Sequence, residues 1–229
     1  MMKNMFFILS LFLFSISIIN GQNVSFGVQG GVSHSKLINK GNGFFDLGTE
    51  YKTGFNVGIN TTIDLGNWAA VRAGFNVQRE GGKDGITLTD VNGNTIDERG
   101  HIYLHFDYLS LPLMMQFSFG KNIKLLAHIG TEFKYLAKQV FVFDSQVING
   151  RRIKTVEENT SLFNRYDQSG FVGLGLSFPM KNNLKIIVLT RSAIGLNEIS
   201  NAMNGNKLKH LSFAATAGVQ YYLHKKEKG

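Results

Sequence analysis

The chain contains no cysteine, only 2 prolines and a charged fraction of 17% in 229 residues. Without cysteine there is no disulfide framework, no thiolate metal cluster, no cysteine nucleophile and no acylated N-terminal Cys, so stability must come from packing and backbone pairing. The charged fraction lies below the ~25% usual for soluble domains. Scarcity of charge does not mean disorder, because 19 Phe and 7 Tyr far exceed what a disordered chain carries. Past residue 19 no window offers 18 consecutive apolar residues, which excludes a mature protein that crosses a bilayer as helices. What is abundant is glycine, at 26 residues, and hydrophobic side chains, at 43%. That combination points to many close backbone approaches and to apolar surface left uncovered by water-seeking groups.

Lys3 followed by the apolar run Phe6 to Ile19 reads as a secretory signal peptide. The run is 14 residues long, short of the ~20 that a transmembrane helix needs. Gly21 is small enough to precede a cleavage site, so residues 1–21 are expected to be removed and 22–229 to form one exported domain.

The rest of the chain alternates with period two. From Gly54 to Leu65, Phe55, Val57, Ile59 and Ile63 oppose Asn56, Gly58, Asn60 and Asp64. Ala69 to Glu80 and Leu211 to His224 repeat the pattern, which is that of strands with one apolar and one polar face. Five further strands are read at Val24 to Ser33, His101 to Phe119, Ile123 to Leu136, Tyr166 to Phe178 and Leu184 to Ile194. Pro112 cannot donate to a ladder, so an edge or a bulge is expected near Leu111 to Leu113. In Leu184 to Ile194 the parity is mixed, since Ile187 and Leu189 fall with Lys185 and Arg191.

Gaps between these eight strands alternate in length. Short ones hold Gly66-Asn67, Gly120 to Asn122 and Pro179 to Asn183, and long ones hold 34–50, 81–100, 137–165 and 195–209. The rhythm predicts an all-β, eight-stranded, antiparallel up-and-down barrel with both ends on the short-turn side, the pattern of an outer-membrane barrel. Asn92-Gly93 and Asn149-Gly150, each between alternating segments, predict hairpins that prolong the strands beyond the membrane.

A closed sheet pairs every backbone donor and acceptor, the condition for non-helical chain to sit in hydrocarbon. A soluble lipocalin-like barrel alternates too, but turns its apolar face inward. The polar set here mixes Gly, Ser, Thr and Asn with Arg72, Glu80, Glu132, Lys134 and Arg191, which suits a crowded interior better than a Lys- and Glu-rich exterior. Arg72 with Glu132, or Lys134 and Arg191 with neighbouring carboxylates, is expected to form an interior salt-bridge network. Trp68, Phe117, Phe119, Phe178, Tyr221 and Tyr222, near the short turns, are expected to form an interfacial girdle.

Asp107 to Gln116, D-Y-L-S-L-P-L-M-M-Q, resembles the Tyr, Leu, Pro and aliphatic signature of PorT-like outer-membrane β-barrel proteins. Ser169 to Gly175, S-G-F-V-G-L-G, and Arg191 to Asn197, R-S-A-I-G-L-N, resemble that family's later strands. The resemblance implies an integral protein of the bacterial outer membrane, acting as a non-enzymatic anchor, adaptor or interaction module. One branch of the family supports type IX secretion and gliding machinery. It implies no catalytic residues.

Chemistry beyond this is sparse. His105 and Asp107 share a face and could chelate, but no third ligand is visible. His34-Ser35 and His105 with Asp107 supply the residue types of a rim-located lipid A-modifying enzyme, without a motif. No catalytic, metal or cofactor site is assigned. Gly27, Gly30 and Gly31 precede no helix and read as sheet packing, not a nucleotide loop. An eight-stranded interior is too narrow for a porin channel. The net charge of +8 is scattered apart from Lys225, Lys226 and Lys228, so no nucleic-acid partner is expected. Expected partners are outer-membrane lipid and a secretion or envelope complex. Lys36, Lys40, Lys52, Arg151, Arg152 and Lys154 are placed to meet lipopolysaccharide phosphates.

Overall fold

The computed structural model describes residues 23–39, 49–89, 95–148, 151–200 and 207–223. The proposed signal peptide, its cleavage site, Lys40, Asn92-Gly93, Asn149-Gly150 and the Lys225 to Lys228 tail lie outside the described residues. Among the described residues nine strands follow one another: β1 (Val24–Asn39), β2 (Glu50–Asp64), β3 (Ala69–Thr89), β4 (Thr95–Phe119), β5 (Lys124–Ile148), β6 (Arg151–Glu158), β7 (Tyr166–Pro179), β8 (Leu184–Gly195) and β9 (Leu208–Tyr222).

Eight of them close a ring. Each pairs antiparallel with its neighbour, β4 pairs β5, and β9 returns to β1, where Val28 faces Val219. β6 stands outside the ring of eight, in the segment expected to form a projecting hairpin with the end of β5. It pairs only with the far part of β5, from Val140↔Glu158 to Ile148↔Arg151, whereas β7 takes the near part, from Lys124↔Ser177 to Tyr135↔Tyr166.

Which way the faces look is decided by exposure. Ile59 is 60% exposed, whereas Arg72 is 2% and Glu132 0% exposed. The outward band consists of Val28, Val57, Ile59, Leu111, Ile129, Leu174 and their like, and it ends near Val32, Phe55, Val77, Leu109 and Tyr135. The oily side therefore faces out, as lipid requires, and the inward positions carry Asn56, Asn60, Asn76, Gln78, Gln116 and Gln220.

Pro112 lies neither at an edge nor in a bulge. β4 keeps one register with β5 through Pro112↔Glu132, and on the other side Ala73↔Leu113 and Asn76↔Ser110 obey the same register with the rungs between them missing. The proline costs hydrogen bonds toward β3 without shifting a residue. Real irregularities lie elsewhere, between Asp107 and Tyr108 against β5, and between Tyr51 and Asn56 against β3. At the second, Gly54 passes so close to β3 that a Cβ would stand 1.9 Å from the Arg79 carbonyl oxygen. At the β7–β8 turn Asn182 and Asn183 adopt φ of 59° and 60°, a conformation asparagine tolerates well.

In β8 the parity is resolved against hydrophobicity: Ile187 and Leu189 point inward with Lys185 and Arg191, and Val188 and Ile194 point out. Tyr222 also departs from the expected girdle. It turns inward, where its hydroxyl accepts a hydrogen bond from Lys185 Nζ at 2.8 Å. Trp68 and Phe119 stay outside, and Trp68 stacks on Phe117 at 5.8 Å.

Candidate functional site

The interior is filled at four levels. Nearest the short turns, Leu126, Ile187 and Leu189 form an apolar cluster, followed by Met114, Phe171 and Ala193. Above them lies a charged layer. Lys134 Nζ sits 2.8 Å from Glu80 Oε2 and 2.9 Å from Asp167 Oδ2, and Arg191 Nη1 donates to Glu132 Oε1 at 3.1 Å. Ser110 and Gln78 donate to the same Glu132 carboxylate, and the Tyr108 hydroxyl lies 3.0 Å from His210 Nε2. The pairing expected between Arg72 and Glu132 does not form. Arg191 on β8 reaches that carboxylate past β7, and Arg72 donates instead to Gln29 Oε1 at 2.5 Å.

Toward the long-loop end the barrel is stoppered. Leu37, Leu104, Phe106, Tyr108, Leu136 and Leu208 from the strands pack with Phe163 and Ile199 from the connecting segments. Phe106 and Phe163 meet edge to face at 4.9 Å, and a bridge Phe163↔Ser200 ties the two segments together. Such a filled interior leaves no wide aqueous path through the described residues.

Glu80, Asp167 and His210 each offer a ligand atom, all within 4.8 Å of one another. The Lys134 ammonium is already bonded to two of the three. This donor set is therefore matched to a lysine cation rather than to a metal ion.

Functional surface appears on the outer wall instead, just past the apolar band. His34, Tyr51, Lys52, Thr53, Lys83, Tyr103, His105, Val142 and Lys154 line a cleft of about 510 Å³. Five adjoining strands and β6 assemble it. Past the last oily outward positions come His34 on β1, Thr53 and Tyr51 on β2, Arg79 and Lys83 on β3, and Asp107, His105 and Tyr103 on β4. His34 stacks on Tyr51 at 5.7 Å, and Tyr103 stands between His101 and His105. Lys36 Nζ lies 5.0 Å from the Tyr51 ring centre and Lys154 Nζ 5.6 Å from that of Tyr103.

Charges in the cleft are unequally matched. Arg79 clasps Asp107 through Nε and Nη2 at 2.5 and 2.7 Å, and Lys83 lies 3.5 Å from Glu50. Asp84 is turned to Thr49. Lys36, Lys52 and Lys154 have no carboxylate within ion-pair distance among the described residues. Lys52 is 8% exposed, and burial, reinforced by the Arg79 charge, lowers its pKa to about 8. Burial and the charges of Lys52 and Arg79 lower that of His105 to about 4, so its ring is neutral at pH 7.

Candidates named from the sequence fall into place around this cleft. His105 and Asp107 share a face as expected, but Arg79 holds the carboxylate, so the two are not arranged as a chelate. His34 and Ser35 part company. His34 faces out, bonded to Thr53 Oγ1 at 3.0 Å, and Ser35 faces in, where its hydroxyl accepts the Gly81 N–H. Lys36, Lys52 and Lys154 lie in or beside the cleft, and the side chains of Arg151 and Arg152 lie outside the described residues. Tyr51, Lys83 and Tyr103 were not singled out from the sequence. The signal was present in their parity, which continues the outward row of each strand.

A family model described as an outer membrane protein beta-barrel domain matches residues 20–201. No curated protein sequence matches the chain. Among solved structures the fold is similar to that of Ail of Yersinia pestis, with 18% identity over 87% of this chain and 99% of that one and a TM-score of 0.40. Neisserial surface protein A is 13% identical over 86% of this chain and 96% of that one, with a TM-score of 0.41. A major outer membrane protein of Thermus thermophilus is 10% identical over 87% of this chain and 99% of that one, with a TM-score of 0.48. These likenesses concern the fold alone.

Proposed function

Because the chain belongs to the outer membrane protein beta-barrel domain family, and so to the bacterial outer membrane, we propose that it is a non-enzymatic anchor and adaptor that recruits a protein partner at the cell surface. The observation that carries this reading is the division of labour along the strands. The lumen is filled from the short-turn end to the stopper, and β3, β4, β5 and β6 run on past the apolar band as paired strands. A plug cannot pass solutes, but it fixes a rigid stalk in place. Within this reading the PorT-like resemblance of Asp107 to Gln116 favours an accessory of type IX secretion or gliding machinery. The parting of His34 from Ser35, and the engagement of Asp107 by Arg79, weigh against a rim-located lipid A enzyme.

Crosslinked pull-down from outer membranes of a deletion strain complemented with tagged protein tests the role. A stoichiometric envelope partner, lost when the β5–β6 hairpin is shortened, is the expected result. Capture of no partner, together with a changed lipid A mass profile on deletion, would replace the adaptor by an enzyme.

A further inference from the structure

The outer cleft does not stand alone. On the other side of β1 an apolar groove of about 560 Å³ crosses the lipid-facing wall over β9, β8 and β7, lined by Val32, Val172, Leu174, Thr190, Phe213 and Ala215. His34 lines both, so the cationic cleft opens into the greasy groove at one residue. The boundary between them coincides with the upper limit of the apolar band, which is the depth of lipid headgroups.

Two features make the cleft an anion site rather than a merely basic surface. Lys52 is 8% exposed and lines the opening, its ammonium is not among the fully buried atoms, and it has no hydrogen-bonding or ion-pair partner among the described residues. A cation drawn largely out of water without an ion-pair partner is unfavourable, and a ligand that brings negative charge to the opening relieves it. Lys36 and Lys154 flank it, each resting over a tyrosine and neither matched by a carboxylate among the described residues. Of the acidic residues nearby, Asp107 is held by Arg79 and Glu50 by Lys83, while Asp144 stands opposite Lys154 in the β5–β6 register. The groove contributes the second half of the specificity, since its apolar walls suit a saturated chain.

We propose that cleft and groove together form one binding site for lipopolysaccharide of the outer leaflet, with a lipid A phosphate at Lys52 between Lys36 and Lys154, and an acyl chain lying in the groove beside His34. A free phosphate would match the cleft alone, and a neutral lipid the groove alone. Only a phosphorylated, acylated lipid uses both. The site is independent of whichever protein the hairpins recruit, and it would hold the barrel at a fixed depth and rotation in the leaflet.

The test uses the full-length protein in nanodiscs of phosphatidylcholine doped with lipid A, with lipid bound per barrel read by mass spectrometry. Lipid A is expected to be retained roughly tenfold more strongly than its dephosphorylated form, the scale of one buried charge-assisted contact. Lys52→Met should lose that preference, Lys52→Arg should keep most of it, and Lys121→Met at the opposite end should change nothing. Ala215→Phe, which fills the groove without touching a charge, should weaken retention of both lipids. Retention of native and dephosphorylated lipid A to the same extent by the unaltered protein would overturn the site, and this comparison needs no variant to fold. Displacement of lipid A by inorganic phosphate, with Ala215→Phe behaving as the unaltered protein, would show a free-anion site and overturn the lipid assignment.

Discussion

Lys134 places its ammonium 2.8 Å from Glu80 Oε2, and both side chains are almost wholly removed from solvent. The same ammonium meets Asp167 Oδ2 at 2.9 Å. Three charges are thus brought from β3, β5 and β7 to the level just beneath the apolar stopper. Removal of one member of such a cluster leaves a buried charge without its partner, which typically costs about 3–5 kcal/mol. Lys134→Met should therefore lower stability by about that amount. Adding Glu80→Gln and Asp167→Asn should restore a large part of it, because the orphaned charges disappear too. Urea unfolding in lipid vesicles, followed by tryptophan fluorescence or gel mobility, would decide. An equal or larger loss in the triple variant would mean that the layer is held by packing and not by charge.

Orientation of the oily face has its own test. Ile59 points outward in the middle of β2, while Thr62 points inward. Ile59→Arg should cost about 2–4 kcal/mol in a bilayer, the penalty for a cation near the midplane of a transmembrane barrel. Assembly measured in vesicles should show this loss. A variant as stable as the original would place Ile59 in contact with water.

Conductance follows from the filling. Phe106 and Phe163 meet edge to face within the stopper, and no large sustained current is expected from the unaltered protein in planar bilayers. Truncating both to alanine removes the stopper's central contact, and should cost several kcal/mol of stability before it opens any path, because the charged layer beneath still fills the lumen. Porin-like currents from the unaltered barrel would show that the stopper is displaced in the membrane.

Lys52 supplies a pH dependence. Its folded-state pKa is lowered from the usual 10.5 to about 8, chiefly by burial. Between pH 8 and 10.5 the unfolded chain therefore holds more of this proton than the folded one does, and stability rises with pH across that window. After allowance for partial hydration the gain is on the order of 1–2 kcal/mol. Below pH 8 the lysine is charged in both states and its contribution is flat. Lys52→Met should abolish the rise. Unfolding curves at about pH 7.5 and about pH 10 on both proteins would check this, and an identical slope in the variant would assign the rise to another group.

Much of the fold could be read from local alternation, and the exceptions share a cause. Strands with a clean oily face, such as Phe55 to Ile63, could be oriented from their own residues. β8 could not, because Ile187 and Leu189 do not face lipid but join Leu126 inside. Arg72 was matched to Glu132 on charge alone, yet Arg191, 59 positions away in sequence from that glutamate, is the one whose guanidinium reaches it. The cleft was half legible. Lys36, Lys52 and Lys154 were suspected of meeting lipid phosphates, but that Lys52 is buried, and that His34 joins the cleft to a groove across β1, follows from strands distant in the chain.

By itself the sequence determined that this protein is an even meander of two-faced strands, because period-two alternation and the rhythm of short and long gaps are properties of neighbouring residues and need no knowledge of the ring. Only the closed ring decided which charges meet, what stops the lumen and where a buried lysine lacks its counter-ion. The staggered pairing of eight strands brings together side chains from opposite walls, and no local pattern specifies a partner on the far side of a barrel.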